Sequence, residues 1–145
     1  MEQKNRRNLK VIYINPKATA GCVITEKDKI LLVKRANNPF LGYWGIPGGH
    51  IELFERAEVA VKREIKEELN IEIILKFFCI QEEIFKEIGW HAIVFFFTSK
   101  AKGNIKIKKD EITEVKFFPY SEINNLQIAF KHKEIISKYF KDAKH

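Results

Sequence analysis

GHIELFERAEVAVKREIKEELNI, residues 49–71, holds six acids and four bases, and its reading decides what the rest of the chain must be. Apolar residues recur in it at helical spacing from about Arg56 to Leu69, behind a Pro47-Gly48-Gly49 turn. A helix advances about 100° per residue. With Ala57 at zero, Glu68 falls at about 20°, Glu64 at about 340° and Glu67 at about 280°. Three carboxylates therefore occupy one stripe about 100° wide. Ala57, Ala60 and Val61 lie on or beside that stripe, so Glu68 points to the side that should meet protein.

Like charges three and four residues apart oppose a helix by roughly 0.2–0.5 kcal/mol per pair. Burying an unpaired carboxylate costs far more. A solvated face with pairs such as Glu58 and Lys62 would remove the conflict by exposure. A hard divalent cation would remove it by neutralisation, because Mg²⁺ takes oxygen ligands and keeps water or phosphate oxygens in its other positions. The wheel leaves both readings open, since Glu58 also falls near the apolar side.

The wider spacing separates them. The stretch reads G-x5-E-x7-R-E-U-x-E-E-x-G-U, with U apolar, and Gly49, Glu55, Arg63, Glu64, Ile65, Glu67, Glu68 and Ile71 match. It resembles the Nudix box, the signature of hydrolases that cleave nucleoside diphosphates linked to another moiety. Asn70 stands where the family pattern has Gly. A left-handed residue is usual just past a helix, and Asn is the next-best choice there. Similarity continues in LLVKR (31–35), YWGIPGG (43–49) and EVKFFP (114–119), so it spans the chain from about Ala18 to the final helix.

The resemblance implies a Nudix-type α/β/α sandwich with a mixed β-sheet, and Mg²⁺ as cofactor with Mn²⁺ as a substitute. It implies Glu64, Glu67 and Glu68 as metal ligands, with the Gly49 carbonyl joining them and Glu52 as a further ligand or a support to one. Arg63 would pair with Glu55 in a bidentate geometry that Lys cannot reproduce. The implied reaction is attack on phosphorus by a water that the metal makes more acidic. Glu67 is the first choice as general base, with Glu111 or Glu114 the second. Arg35 and Lys34, at a strand end, are candidates to contact phosphates, and Trp44, beside the box, to stack on a nucleobase. Tyr43 and Trp90 also offer rings, whereas Phe95–Phe97 read as core.

Outside the box, strands are expected at Ala18–Thr25, Lys29–Lys34, Tyr43–Ile46, Ile71–Glu83, Trp90–Lys100, Ile105–Lys108 and Glu114–Phe118, and a last helix at Ile128–Phe140. Strands mixed with two helices suggest a sheet covered on its faces. At 145 residues the chain is expected to be one domain over 1–145, with residues 1–10 a flexible basic arm. No apolar run approaches the ~18 residues of a membrane span, and no apolar segment follows the basic N-terminus, so neither membrane insertion nor a signal peptide is expected. Cys22 and Cys79 read as buried, reduced thiols, and the default location is cytoplasmic.

The net charge is +7, but residues 49–71 carry −2 and the remainder +9. That contrast suits cations bridging an acidic cluster to an anionic ligand, although solvated lysines account for it as well. The expected partner is a small nucleotide, with a homodimer left open. No Cys-x-x-Cys pair is present, which argues against the NADH-cleaving members, and PGG in place of PKG argues against the dinucleoside-polyphosphate group. ADP-ribose-like sugar nucleotides and nucleoside triphosphates remain. Two alternatives stand beside hydrolysis of a small nucleotide. A ligand-sensing module without turnover is opposed by retention of Arg63, Glu64, Glu67 and Glu68, and an RNA 5′-end pyrophosphohydrolase rests on the +9 alone.

Overall fold

Strands β1 (Lys17–Glu26) and β2 (Lys29–Arg35) form a hairpin that pairs only at its tip, Thr25 opposite Ile30 and Glu26 opposite Lys29. Beyond the tip they diverge. β1 runs parallel to β6 (Trp90–Lys100) and antiparallel to β4 (Gly48–His50). β2 instead pairs antiparallel with β3 (Trp44–Gly45) and β7 (Ile112–Pro119). β5 (Lys76–Phe85) lies antiparallel to β6 at the sheet's edge. The result is one mixed, seven-stranded sheet with a split between two of its central strands. The computed structural model describes residues 14–107 and 110–143, so the basic arm expected over 1–10 lies outside the described residues.

Alternation along β1 and β2 gives the sheet two apolar faces. Ala20, Cys22, Ile24, Leu31 and Val33 meet Val61, Ile65 and Leu69 of helix α1 (Ala57–Leu69). Val23, Ile30 and Leu32 meet Ile135 and Ile136 of helix α2 (His132–Asp142). Strands covered on both sides read as unbroken apolar runs, which is what these two show. The α/β/α sandwich expected from the resemblance is the fold observed. Each fully buried aliphatic side chain contributes about 1.5–3 kcal/mol. That exceeds any surface ion pair on α1, so packing rather than charge anchors the helix. Among the described residues, no helix is long and apolar enough to cross a membrane. Both cysteines are free, and burial pushes the Cys22 thiol up to about 12, leaving it unreactive.

Four local expectations change. β5 starts at Lys76 rather than Ile71. Ile71 and Ile73 are buried under α1 without joining the ladder, so their alternation reports burial and not pairing. Residues 104–107 form no strand, although Lys106 donates its N–H to the Leu69 carbonyl at 2.9 Å; Lys108 lies outside the described residues. α2 begins at His132, not Ile128. Trp44 exchanges backbone hydrogen bonds with Gln127 (2.9 Å) and Ala129 (2.8 Å), and Phe130 then adopts φ 53°, so this segment extends the sheet before any helix starts. Finally, Gly48 and Gly49 are strand residues rather than a turn.

Gly48 is required where β4 crosses β1. A Cβ there would stand 2.1 Å from the Ala20 carbonyl oxygen and 2.7 Å from the Gly21 Cα, both backbone atoms that cannot step aside. Gly48→Ala is therefore expected to cost at least about 2 kcal/mol, in the range of overpacked cores, read from the denaturant midpoint. Wild-type stability in that variant would contradict so close a crossing.

Candidate active site

One guanidinium organises the acidic stretch. Arg63 donates from Nε and Nη2 to the two Glu55 oxygens at 2.8 and 2.9 Å, the bidentate pairing expected. Its Nη1 donates to Glu64 at 2.7 Å and to Glu67 at 2.9 Å. Nη2 also reaches the His50 carbonyl at 3.1 Å, and Glu52 stands 3.5 Å away. Glu55 accepts the Glu52 N–H at 3.0 Å as well, which closes the loop ahead of α1. The Arg63 hydrogen bonds, followed by the Glu52 N–H, hold the Glu55 carboxyl down at about 2. The same pairing, with Glu64 and Glu67 adding to it, raises the Arg63 guanidinium above its usual value. At the far end of α1, Asn70 takes φ 59°, ψ 34° and donates its N–H to the Lys66 carbonyl, the left-handed cap expected of it.

The carboxylate oxygens of Glu64, Glu68 and Glu111 come together, all within 4.8 Å of one another. Glu64 and Glu68 are buried on the protein side of α1, and Glu111 approaches from the exposed side. Glu111 is placed by a register shift between Lys34 and Arg35 and by its carbonyl, which accepts the Ala36 N–H at 2.9 Å. Gly49 lies directly against Glu64: a Cβ at residue 49 would fall 2.4 Å from the Glu64 Cδ and Oε2. An all-oxygen donor set of this kind, with backbone pressed against it, fits Mg²⁺ or Mn²⁺ and does not fit a thiol-seeking metal. Glu67 lies outside this trio; its side chain is 39% exposed and engaged by Arg63. Glu52 is more exposed still.

Where β1 and β2 part, a cleft of about 270 Å³ opens, and Gly49, Glu68, Glu111, Arg35, Glu83 and Trp90 are among the residues lining it. Arg35 is held by a 2.8 Å hydrogen bond from its Nε to the Pro39 carbonyl. Lys34 and Trp44 are not among the lining residues. Neighbouring strand residues point to opposite faces, and Lys34 lies over the Trp44 ring, 5.7 Å from its centroid. Trp44 in turn packs edge-on against Phe118 on the α2 side. Glu114 pairs with Lys34 in the ladder.

Two further titratable residues line the cleft. His132 Nδ1 accepts the Ile46 N–H at 2.9 Å, which leaves the imidazole proton on Nε2, 3.6 Å from Glu83 Oε2. Burial, with a smaller contribution from Arg35, pulls His132 down to about 3, so the ring stays neutral. Burial likewise pushes the Glu83 carboxyl up, although the Trp90 indole N–H donates to Oε1 at 3.2 Å. The sequence carries a signal for His132, which shares the apolar side of α2 with Ile135 and Ile136 three and four residues on. Glu83 carries none, being one of two adjacent acids in an edge strand.

A family model for the NUDIX domain matches residues 15–139. An ADP-ribose pyrophosphatase of Methanocaldococcus jannaschii is 35% identical over 140 residues, 94% of this chain and 81% of that protein. The crystal structure of a MutT NUDIX hydrolase from Burkholderia pseudomallei superposes with a TM-score of 0.71 at 31% identity, covering 74% of this chain and 86% of the other. The NUDIX domain of Shewanella oneidensis NrtR, complexed with ADP ribose, superposes with a TM-score of 0.79 over 97% of this chain and 94% of its own. At 23% identity that likeness concerns the fold alone.

The depressed Glu55 carboxyl has a measurable consequence. Its folded value, about 2, lies below the ordinary 4.5, so between them the unfolded chain binds more protons and stability rises with pH. The contribution is complete above about 4.5 and is lost as pH falls toward about 2. Glu55→Gln does not titrate at that position. The gap in Tm between wild type and Glu55→Gln is expected to be widest above that window and to narrow through it. A gap that stays constant down to the lower limit would contradict the pairing with Arg63.

Proposed function

This chain belongs to the NUDIX family, and we propose that it is a divalent-metal-dependent pyrophosphohydrolase that opens the diphosphate of an ADP-ribose-like sugar nucleotide. The observation that carries this reading is the convergence of Glu64, Glu68 and Glu111 beside a cleft that also holds Arg35. The activity named for the archaeal relative supports the sugar-nucleotide class.

Glu64, Glu67 and Glu68, with the Gly49 carbonyl, are the groups that would hold Mg²⁺ or Mn²⁺, and Glu52 stands at the exposed margin. When bound, the dication screens the charge of the diphosphate and makes a water at the site more acidic. Arg63 keeps Glu64 and Glu67 in place by hydrogen bonds at 2.7 and 2.9 Å, so the ligands are preorganised. Arg35 offers a planar fork that matches phosphate oxygens, already oriented by Pro39. A general base must stand within reach of the attacking water. Glu111 lines the cleft within 4.8 Å of Glu64 and Glu68, whereas Glu67 rests on Arg63 and Glu114 lies in register with Lys34, so we assign the base to Glu111; Glu67 stays a metal ligand on the resemblance of the box alone.

Glu111→Gln is expected to lose about 10²–10⁴ in kcat, the usual contribution of a general base, with an unchanged melting profile. Glu67→Gln should need more Mn²⁺ for half-maximal rate and lose less at saturation. The reverse ranking moves the base to Glu67. A substrate panel with Mg²⁺ and Mn²⁺ tests the class: AMP plus ribose phosphate marks ADP-ribose as substrate, and a nucleoside monophosphate plus pyrophosphate marks a triphosphate. Saturable nucleotide binding with no product favours the sensing module.

A further inference from the structure

The chain crosses from one half of the split sheet to the other at Ile46 and Pro47. Gly45 ends β3 and pairs with Val33 of β2, and Gly48 opens β4 and pairs with Gly21 of β1. The Pro47 carbonyl already belongs to the β1 half, where it accepts the Cys22 N–H at 3.0 Å. Ile46 sits in neither ladder and is buried. A buried N–H left without a partner is costly. The Ile46 N–H finds one in a side chain from another element, His132 Nδ1, at 2.9 Å.

The His132 imidazole touches both halves. Gly45 of β3 comes so close that a Cβ there would fall 3.2 Å from Nδ1. Phe96 of β6 meets the ring edge-on, with centroids 5.6 Å apart at 88°. Nε2 faces Glu83 of β5 at 3.6 Å, and an acid there favours the proton on Nε2, which leaves Nδ1 as an acceptor. The residue is carried by a segment pinned to β3. Trp44 bonds to Gln127 and Ala129 through its backbone, and the His132 N–H donates to the Ala129 carbonyl at 3.1 Å. A side chain that only filled this space would be aliphatic, because a buried polar ring costs stability unless its nitrogens are used.

Each half carries part of the site. Arg35 ends β2, and Glu111 stands one residue ahead of β7. Gly49 is in β4, paired with Ala20 of β1 and pressed against Glu64. The width of the gap therefore sets how far the assigned base stands from the carboxylates on α1. We propose that His132 is a positioning residue that fixes this width: it takes up the Ile46 N–H, fills the space beside Gly45, and so holds Glu111 and Arg35 at their distance from Gly49, Glu64 and Glu68. For its effect on rate the inference rests on the hydrolase reading above, and for the contact itself it does not. Displacing a reacting group by about 1 Å can cost about 10²-fold in rate, even when the change is made at a distance. The proposed metal ligands lie together on α1 and β4, so a wider gap moves the base away from them and leaves them in place.

Two substitutions separate this role from a general loss of packing. His132→Asn places an amide oxygen near the position of Nδ1, where it can accept from Ile46. His132→Gln places its amide near the position of Nε2, where it cannot. Both are measured well below their own melting temperatures. In His132→Gln the Ile46 amide is expected to exchange with solvent about tenfold faster, the equivalent of one lost hydrogen bond, while His132→Asn stays near wild type. With ADP-ribose and Mn²⁺, His132→Gln is expected to lose about 10–100-fold in kcat, and His132→Asn to recover most of it. Mn²⁺ binding without nucleotide, followed by electron paramagnetic resonance, should be the same in all three proteins. Equal Ile46 exchange in the two variants would overturn the contact. Equal kcat in the two variants, or loss of Mn²⁺ binding in step with kcat, would overturn the positioning role. If wild type leaves ADP-ribose intact while the contrast in Ile46 exchange holds, the hydrolase reading fails and the brace across the split stands.

Discussion

Repulsion among carboxylates is the constraint this protein is built around, and Arg63 is what resolves it. Glu55, Glu64 and Glu67 all accept hydrogen bonds from the one guanidinium. Glu64 and Glu67, three residues apart on one stripe of α1, would otherwise work against the helix. The planar fork of Arg suits the task, because its donors leave in fixed, separate directions and meet several oxygens at once. The loop ahead of the helix is held by the same group through Glu55 and the His50 carbonyl. Removing it would take a 2.7 Å hydrogen bond from Glu64, which is 7% exposed.

The second constraint is the parting of β1 and β2. A hairpin that stayed paired along its length would close the sheet and leave no cleft. Here only two residue pairs join the strands, and each strand then finds other partners. β4 fits beside β1 only because Gly48 lets two backbones touch, and Gly49 follows against Glu64. The sheet therefore places glycine backbone beside the carboxylates on α1, and the split opens beside both. Glu111 reaches the cluster from the other half of the sheet by way of β2 and β7. The carboxylate cluster lies where the two halves face one another.

Much of this was legible in the chain. α1, β1, β2 and β6 stand within one or two residues of where periodicity put them, because long apolar patterns with clear ends leave few alternatives. The Asn70 cap and the Arg63–Glu55 pair were legible for a similar reason: both are local, decided by residues a turn or two apart. The start of α2 was not. Ile128 and Ala129 look helical by spacing, yet the backbone there pairs with Trp44 from a distant segment. Ile71 and Ile73 alternate like a strand because they pack under α1, while their backbone joins no ladder. Lys34, next to Arg35, and Trp44, beside the box, look placed for the site by sequence, but the cleft is lined by Arg35 and Gly45 instead, since one step along a strand reverses the face.

What the sequence alone determined is the family: helix pitch puts three acids on one stripe and leaves exposure or a cation open, and it is the full spacing of residues 49–71 that resembles the Nudix box and so implies a divalent cation. Which acid joins Glu64 and Glu68 from outside, and which rings face the cleft, was decided by the tertiary structure. Glu111, Glu83, Trp90 and Phe130 come from separate strands and turns, and their meeting depends on register, on a bulge at Arg35 and on where β1 and β2 part. Those are properties of pairing between distant segments, which no local pattern encodes.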